Sequence, residues 1–311
     1  MRVTALAGGT GAAKLIRGLA VAPHVAELTI VVNTGDDTVV WGLHVSPDLD
    51  TITYALAGRL DTTRGWGLRD ETFHCLDAMA ALGAETWFNL GDRDLATHVF
   101  RTARLRSGAS LSTITAELGR LQHVSARVVP MSDDAVRTRV LVADPERWLE
   151  FQEYFVRDKA AGAVLDVVYA GAADARPAPG VVAAIAETDL VVVCPSNPVT
   201  SIGPILAVPT IVETLRESRA PVVAVSPIVG DAPVSGPAGA LMRARGWPVS
   251  PVGVAVAYCD WLDALVIDTR DAGVAASITA LGVEALVADI VMTDAARERK
   301  LAGVVLARAQ R

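Results

Sequence analysis

An α/β fold built on a doubly wound, mostly parallel sheet is predicted by three observations. Apolar runs of strand length recur at residues 3–7, 28–32, 124–129, 164–170, 190–194 and 222–226. Most are Val-rich and lack strict alternation, as expected of strands covered on both faces. Helical patterns fall between several of them, at 11–21 and 204–217, and alternating β and α segments imply a parallel sheet. The stretch 67–122 breaks the alternation. Its segments "RDETFHCLDAMAALG", "DRDLATHVFRTARLRSG" and "SLSTITAELGRL" carry helical spacing with Asp or Ser caps at their starts. Residues 1–66 and 123–311 are therefore assigned to the α/β core with a nucleotide and metal site, and 67–122 to a helical insertion subdomain. The tail after Asp294 reads as one more surface helix.

Composition narrows the function classes. At 311 residues the chain suits one large α/β domain or a core with a smaller subdomain. Apolar residues make up 51% and charged ones 20%, enough for a sizeable core and against general disorder. The net charge of -7 argues against a nucleic-acid partner, whose affinity depends on clustered Lys and Arg. A phosphorylated ligand is still compatible, because a magnesium ion and backbone amides supply local positive field. Cys75, Cys194 and Cys259 lie far apart, which reads as reduced thiols and neither a disulfide frame nor a zinc site. The start "MRVTALAGGTG" passes from a strand straight into a glycine turn, unlike a signal peptide. No uncharged run approaches the roughly 20 residues of a membrane span, so a cytoplasmic protein without a membrane partner is expected.

Ligands of doubly wound sheets bind beyond the carboxyl ends of the strands. That rule points to the segments after Ala7, Val32 and Cys194. In "LAGGTGAAKL", Gly8, Gly9, Thr10 and Gly11 let backbone amides approach an anion, the following helix adds its positive end, and Lys14 offers a point charge. A tight turn with no ligand would use the same glycines. After the second strand, "VVNTGDDTVVWGLHVSPDLDTITY" places four aspartates in fifteen residues. Magnesium prefers a few carboxylates plus water and phosphate oxygens, and two of these four would converge beside the glycine turn. The plain alternative is that Asp37 and Asp48 cap turns and Asp50 caps a helix. In "CPSNPVTSIGPIL", Ser196, Asn197 and Ser201 present short donors suited to phosphate or base edges. "NLGDRDLATH" offers Arg93 and His98 beside Asp92 and Asp94, which would cap a helix. Trp66, flanked by glycines in "RGWGLRDE", would line a flat-ring pocket.

Taken together, "GGTGAAKL", "NTGDD", "SPDLDTITY", "RGWGLRDET", "GDRDLATH", "MSDD" and "PSNPVTSIGPIL" resemble one family from Met1 to about Asp294. It is the 2-phospho-L-lactate transferase family of coenzyme F420 biosynthesis, with its phosphoenolpyruvate transferase members. The resemblance implies a Rossmann-like core with a helical subdomain, a homodimer, and magnesium. It implies a guanosine diphosphate donor carrying lactate or enolpyruvate on its terminal phosphate, and the deazaflavin Fo as acceptor. The ribitol hydroxyl of Fo would attack that phosphate and GMP would leave. The family's metal-binding and catalytic aspartates fall on Asp36 and Asp50. Donor binding falls on Gly8, Gly9, Thr10, Gly11, Lys14, Ser196, Asn197 and Ser201, and acceptor binding on Trp66, Arg93 and His98. The competing class is a nucleotide- or nucleotide-sugar-binding regulatory protein of the same superfamily, with similar glycine loops. A dinucleotide-dependent oxidoreductase is disfavoured, since no GxGxxG with a downstream ribose-binding acid is present.

Overall fold

Strand β1 (Arg2–Ala7) shows why the apolar runs do not alternate: Val3, Ala5 and Ala7 pack on one face of the sheet and Leu6 on the other, all buried. A computed structural model of the chain describes residues 1–310. After helix α1 (Gly9–Ala20) and β2 (Glu27–Val32) comes a hairpin of β3 (Thr38–Val40) and β4 (Leu43–Val45). Its two central residues, Trp41 and Gly42, both have positive φ, the twist a two-residue hairpin loop favours. Helices α2 (Pro47–Leu56), α3 (His74–Ala81), α4 (Asp92–Arg106) and α5 (Leu111–Leu121) follow, and no strand of three or more residues falls within 67–122. Then come β5 (Arg127–Pro130), β6 (Arg137–Val142), β7 (Arg147–Glu150), β8 (Val164–Ala170), β9 (Leu190–Val193) and β10 (Val222–Val225). A small hairpin, β11 (Ile228–Val229) with β12 (Ala232–Pro233), precedes β13 (Ala264–Asp268) and β14 (Glu284–Ala288).

Seven strands make the central sheet in the order β14-β13-β10-β9-β1-β2-β5, and every pair in it is parallel. This is the doubly wound α/β architecture that the Val-rich runs predict. Residues 164–170 depart from that reading. They form β8, which pairs antiparallel with β6 in a separate three-stranded sheet, β7-β6-β8. Of its seven residues only Val167 is buried, so one face is left to solvent. A valine-rich run specifies a strand but not its neighbour. The helical pattern at 204–217 is likewise divided, into Gly203–Ala207 and Ile211–Arg216. Pro209 and the positive φ of Thr210 lie in the break.

The turns after β1 and β9 touch through backbone. A Cβ on Gly11 would lie 2.4 Å from the Pro195 carbonyl oxygen, closer than any side chain tolerates. Gly11→Ala should therefore separate the two turns and lower stability by about 1–3 kcal/mol, the scale of overpacking. Gly303→Ala, on the helix Ala295–Leu306 with open space around it, is the control that should be neutral or mildly stabilising in thermal unfolding.

Candidate active site at the switch point of the sheet

From β1 the strand order runs to β2 on one side and to β9 on the other, so the crevice between the turns after β1 and β9 is the topological switch point. A cavity of about 790 Å³ opens there. Its walls include Gly8, Gly9, Thr10, Gly11 and Lys14 from the first turn, and Ser196, Asn197 and Ser201 from the second. Asp36, Asp50, Trp66 and His98 also line it. Arg93 is not part of that wall. Its guanidinium lies on the surface and donates to the Arg69 carbonyl oxygen at 3.3 Å.

Side chains fasten the loops that meet here. Asp48, on the first turn of α2, accepts from the Gly9 amide at 2.8 Å and from Asn33 Nδ2 at 2.9 Å. Asn33, at the end of β2, also donates to the Thr200 carbonyl at 3.2 Å and accepts from the Gly35 amide. Ser196 Oγ accepts from the Gly8 amide and donates to the Gly8 carbonyl. Asn197 Oδ1 caps the π-type turn Pro198–Ile202 by accepting from the Val199 amide at 2.9 Å. Ser196 and the Asn197 oxygen are thus engaged in holding the crevice together. The start of α1 is left to offer amides and the positive end of its dipole to an anion.

The four aspartates fall into different environments. Asp37 Oδ2 accepts from Ser46 Oγ at 2.8 Å and lies 2.9 Å from His44 Nε2. Asp36 Oδ1 is buried with no hydrogen-bond partner. Burial, then the neighbouring Asp48 charge, push the Asp36 carboxyl well above the usual range. Burial likewise raises Asp48 to about 6. Asp50 has its own cation: Arg101 donates from Nη1 to Oδ2 at 3.1 Å and from Nη2 to Oδ1. Burial raises the Asp50 carboxyl and the Arg101 charge opposes it.

Helix α4 supplies that cation in an unusual way. Its buried residues are Asp94, His98, Arg101 and Thr102, a polar stripe at helical spacing turned inward. Tyr54 donates its hydroxyl to Asp94 Oδ1 at 2.6 Å. His98 sits between two carboxylates, Nε2 3.3 Å from Asp94 Oδ2 and Nδ1 3.7 Å from Asp50 Oδ2. Arg101 Nη1 approaches His98 Nδ1 at 3.3 Å, and a guanidinium has no acceptor. Nδ1 is therefore the acceptor of that contact, and Nε2 is the ring nitrogen that faces Asp94.

These groups test the donor set for a metal. Asp36 fits a hard divalent cation, having a buried, unpartnered carboxylate oxygen that two neighbouring acids repel. At Asp50 both oxygens already bond a guanidinium, as expected of an acid whose charge is met by protein. The two residues expected to act together lie in one cavity but differ in what neutralises them.

The sequence profile described as "2-phospho-L-lactate transferase CofD" matches residues 3–306 of this chain. The chain belongs to that family. It is 46% identical over 314 residues to a phosphoenolpyruvate transferase of Streptomyces avermitilis, covering all of this chain and 98% of that protein. It is 42% identical over 299 residues to a 2-phospho-L-lactate transferase of Methanosarcina mazei, covering 96% and 97% of the two chains. Among solved structures, a upf0052-family protein from Bacillus halodurans superposes with a TM-score of 0.68 at 18% identity, covering 98% of each chain, which speaks for the fold. Family membership makes the chain a transferase-type enzyme of coenzyme F420 biosynthesis. No helix among the described residues is long and apolar enough to cross a membrane.

In this member of the CofD family the cavity extends well past the residues that sequence reasoning selected. Beyond β10 it includes Ser226 and Pro227, and the turn before the helix Ala238–Ala244 adds Ser235 and Gly236. Met292 and Thr293, beyond β14, close that end. Phe151, Gln152 and Phe155 reach in from the helical turn that follows β7, with Phe151 and Phe155 stacked at 5.5 Å. "SPIVGDAPVSGPAG" carries a visible turn signature, whereas nothing in the pattern of "FQEYF" marks it as a cavity wall.

Two expectations follow. With no divalent cation present, Asp48 binds its proton more tightly folded than unfolded. Between pH 4 and about 6 the native state therefore holds the extra proton, and stability falls as pH rises through that window. Denaturant unfolding in a chelator should show this slope in the parent, and Asp48→Asn should reduce it, leaving the part that the raised Asp36 and Asp50 carboxyls contribute. Asp50→Ala leaves Arg101 buried and uncompensated, and should cost about 3–5 kcal/mol in the same assay. Asp50→Ala combined with Arg101→Met should recover much of that loss.

Proposed function

We propose that this enzyme transfers a phospholactyl or enolpyruvyl-phosphate group from a guanosine diphosphate-linked donor to the deazaflavin Fo, releasing GMP. The observation that carries the reading is one cavity that joins an anion-binding turn at the switch point to a buried cluster of acids. The names of the relatives support it, since phosphoenolpyruvate and 2-phospholactate are both phosphorylated three-carbon acids. We place the diphosphate at the start of α1, near Lys14, and the guanosine toward Ser226, Ser235 and Met292. The acceptor then lies on the α4 side, near Trp66, Asp50 and His98.

In this arrangement the Fo side-chain hydroxyl oxygen bonds to the terminal phosphorus of the donor. The phosphoanhydride bond breaks, its electron pair leaves with GMP, and the hydroxyl proton is released. Charge on the leaving phosphate is met by the backbone amides and dipole of α1 and by Lys14, which supply most of what such a reaction needs from protein. Magnesium would be held at Asp36, where it would neutralise the diphosphate against the surrounding carboxylates. The polar stripe of α4 orients the acceptor, with Arg101 holding Asp50 in place. The 67–122 segment would cover the reacting centre and keep water from hydrolysing the donor. The protein is further proposed to work in the cytoplasm as a homodimer.

Incubation with Fo and each guanosine-linked donor, followed by mass analysis of the product, tests the reading directly. The expected outcome is a phosphodiester of Fo and stoichiometric GMP. Nucleotide binding with no transfer to Fo would favour a regulatory nucleotide-binding protein instead. Asp36→Ala is expected to lose about 100-fold or more in turnover, the scale of one deleted electrostatic contact. Its ligand-free melting temperature should hold or rise, because a buried like-charge cluster is relieved.

A further inference from the structure

The cavity is lined by four acids, Asp36, Asp48, Asp50 and Asp94, yet only Lys14 and Arg64 bring fixed positive charge to its described walls. Lys14 is directed to the nucleoside end, where its Nζ donates to the Met292 carbonyl at 3.1 Å. Arg64 stands at the other end, on the loop between α2 and α3. That loop closes on itself through the bridge Leu60–Leu68 and lies against the phosphate turn, with the Cβ direction of Gly65 3.5 Å from Thr10 Cγ2.

The guanidinium of Arg64 is held in advance of any ligand. Asp61 Oδ1 accepts from the Thr63 and Arg64 amides, and Asp61 Oδ2 faces Arg64 Nε at 2.9 Å. Arg64 Nη2 donates to the Leu68 carbonyl at 2.8 Å. The rings of Trp66 and Phe73 flank the group, 5.2 and 5.3 Å from its central carbon. Positive φ at Gly65 and Gly67 folds the chain so that Trp66 turns back toward the arginine. These contacts hold the guanidinium at the cavity wall before a ligand arrives, so little rotamer freedom is left to lose on binding.

We propose that Arg64 binds the carboxylate of the organic acid carried on the donor's terminal phosphate, and so distinguishes the donor from plain GDP. The inference rests on the functional reading above and deepens it. Lactate and enolpyruvate attached through oxygen to phosphorus both keep a carboxylate next to that oxygen. With the diphosphate at the start of α1, this carboxylate emerges beside Thr10, where Arg64 waits. The α1 amides serve the diphosphate, and a planar guanidinium suits the planar carboxylate.

The test compares parent, Arg64→Gln and Arg64→Lys by calorimetry with GDP and with the enolpyruvyl-linked donor, alongside steady-state kinetics with Fo. Arg64→Gln should weaken donor binding and raise the donor KM by about 10-fold or more, the scale of one charged hydrogen bond. GDP affinity and the Fo KM should stay within about twofold of the parent, and Arg64→Lys should fall between. Parallel loss of donor and GDP affinity would overturn the assignment, as would a rise in the Fo KM alone or no change at all. A parent that binds donor more tightly than GDP through Arg64, yet transfers nothing to Fo, would sink the functional reading and leave this assignment standing.

Discussion

Much of the site depends on one carboxylate, that of Asp48, at the first turn of α2. One oxygen takes the Gly9 amide and the other takes Asn33 Nδ2, so a single side chain ties α2 to the turn after β1 and to the end of β2. Asn33 passes the tie to the Thr200 carbonyl, and Ser196 closes the circuit at Gly8. Four loops from different parts of the chain are thereby fixed at the switch point. Parallel sheets leave their strand ends without neighbours, and a crevice at such an edge keeps its shape only when its loops are bonded to one another. Desolvating Asp48 carries a cost, seen in its raised pKa of about 6, and the two donated hydrogen bonds offset part of it.

The same electrostatics separates the two halves of the cavity. Around Asp36 the buried acids are neighbours with too little positive charge between them. Around Asp50 the fold supplies Arg101, one of its largest fully buried side chains, and sets His98 between two carboxylates. A half short of cations suits a ligand that arrives with a metal. A half already balanced by protein suits a neutral or weakly charged partner that needs fixed hydrogen-bonding groups. The cavity is thus asymmetric in charge from one half to the other.

Periodicity made most of the fold legible and topology of the small elements illegible. The runs at 3–7, 28–32, 124–129, 190–194 and 222–226 read directly as five strands of the seven-stranded sheet, because burial on both faces removes alternation, whereas β13 and β14 are not among them. Residues 164–170 have the same composition but pair antiparallel with β6, and composition does not encode a hydrogen-bond neighbour. In the site, the two glycine- and proline-rich turns could be placed from the rule that ligands lie beyond strand ends. The separate fates of Asp36 and Asp50 could not. They depend on Arg101, 51 residues along the chain from Asp50, and only the packing of α4 brings it there. A signal was present nonetheless: Asp94, His98 and Arg101 recur at steps of four and three on one helix face, where a core-facing stripe should be apolar.

That inverted stripe explains why a helical segment interrupts an otherwise regular α/β chain. A parallel sheet edge presents backbone amides and short loops, which handle anions well and shape large apolar ligands poorly. Charged side chains placed on those loops would compete with phosphate for the α1 amides, as Asp48 already does at Gly9. Mounting Asp94, His98 and Arg101 on a fifteen-residue helix keeps them rigid and apart from the anion turn. Loop 57–73 then runs between the two parts, passing Thr10 at Gly65, where a Cβ would lie 3.5 Å from Thr10 Cγ2, and docking to α4 through Glu71, whose Oε1 takes the Arg93 amide. The sheet edge provides the amides at the start of α1, and helix α4 provides the charged wall facing them. That loop and α2, which bonds Gly9 through Asp48 and Asp94 through Tyr54, both reach the two parts and so fix how far the charged wall stands from the α1 amides.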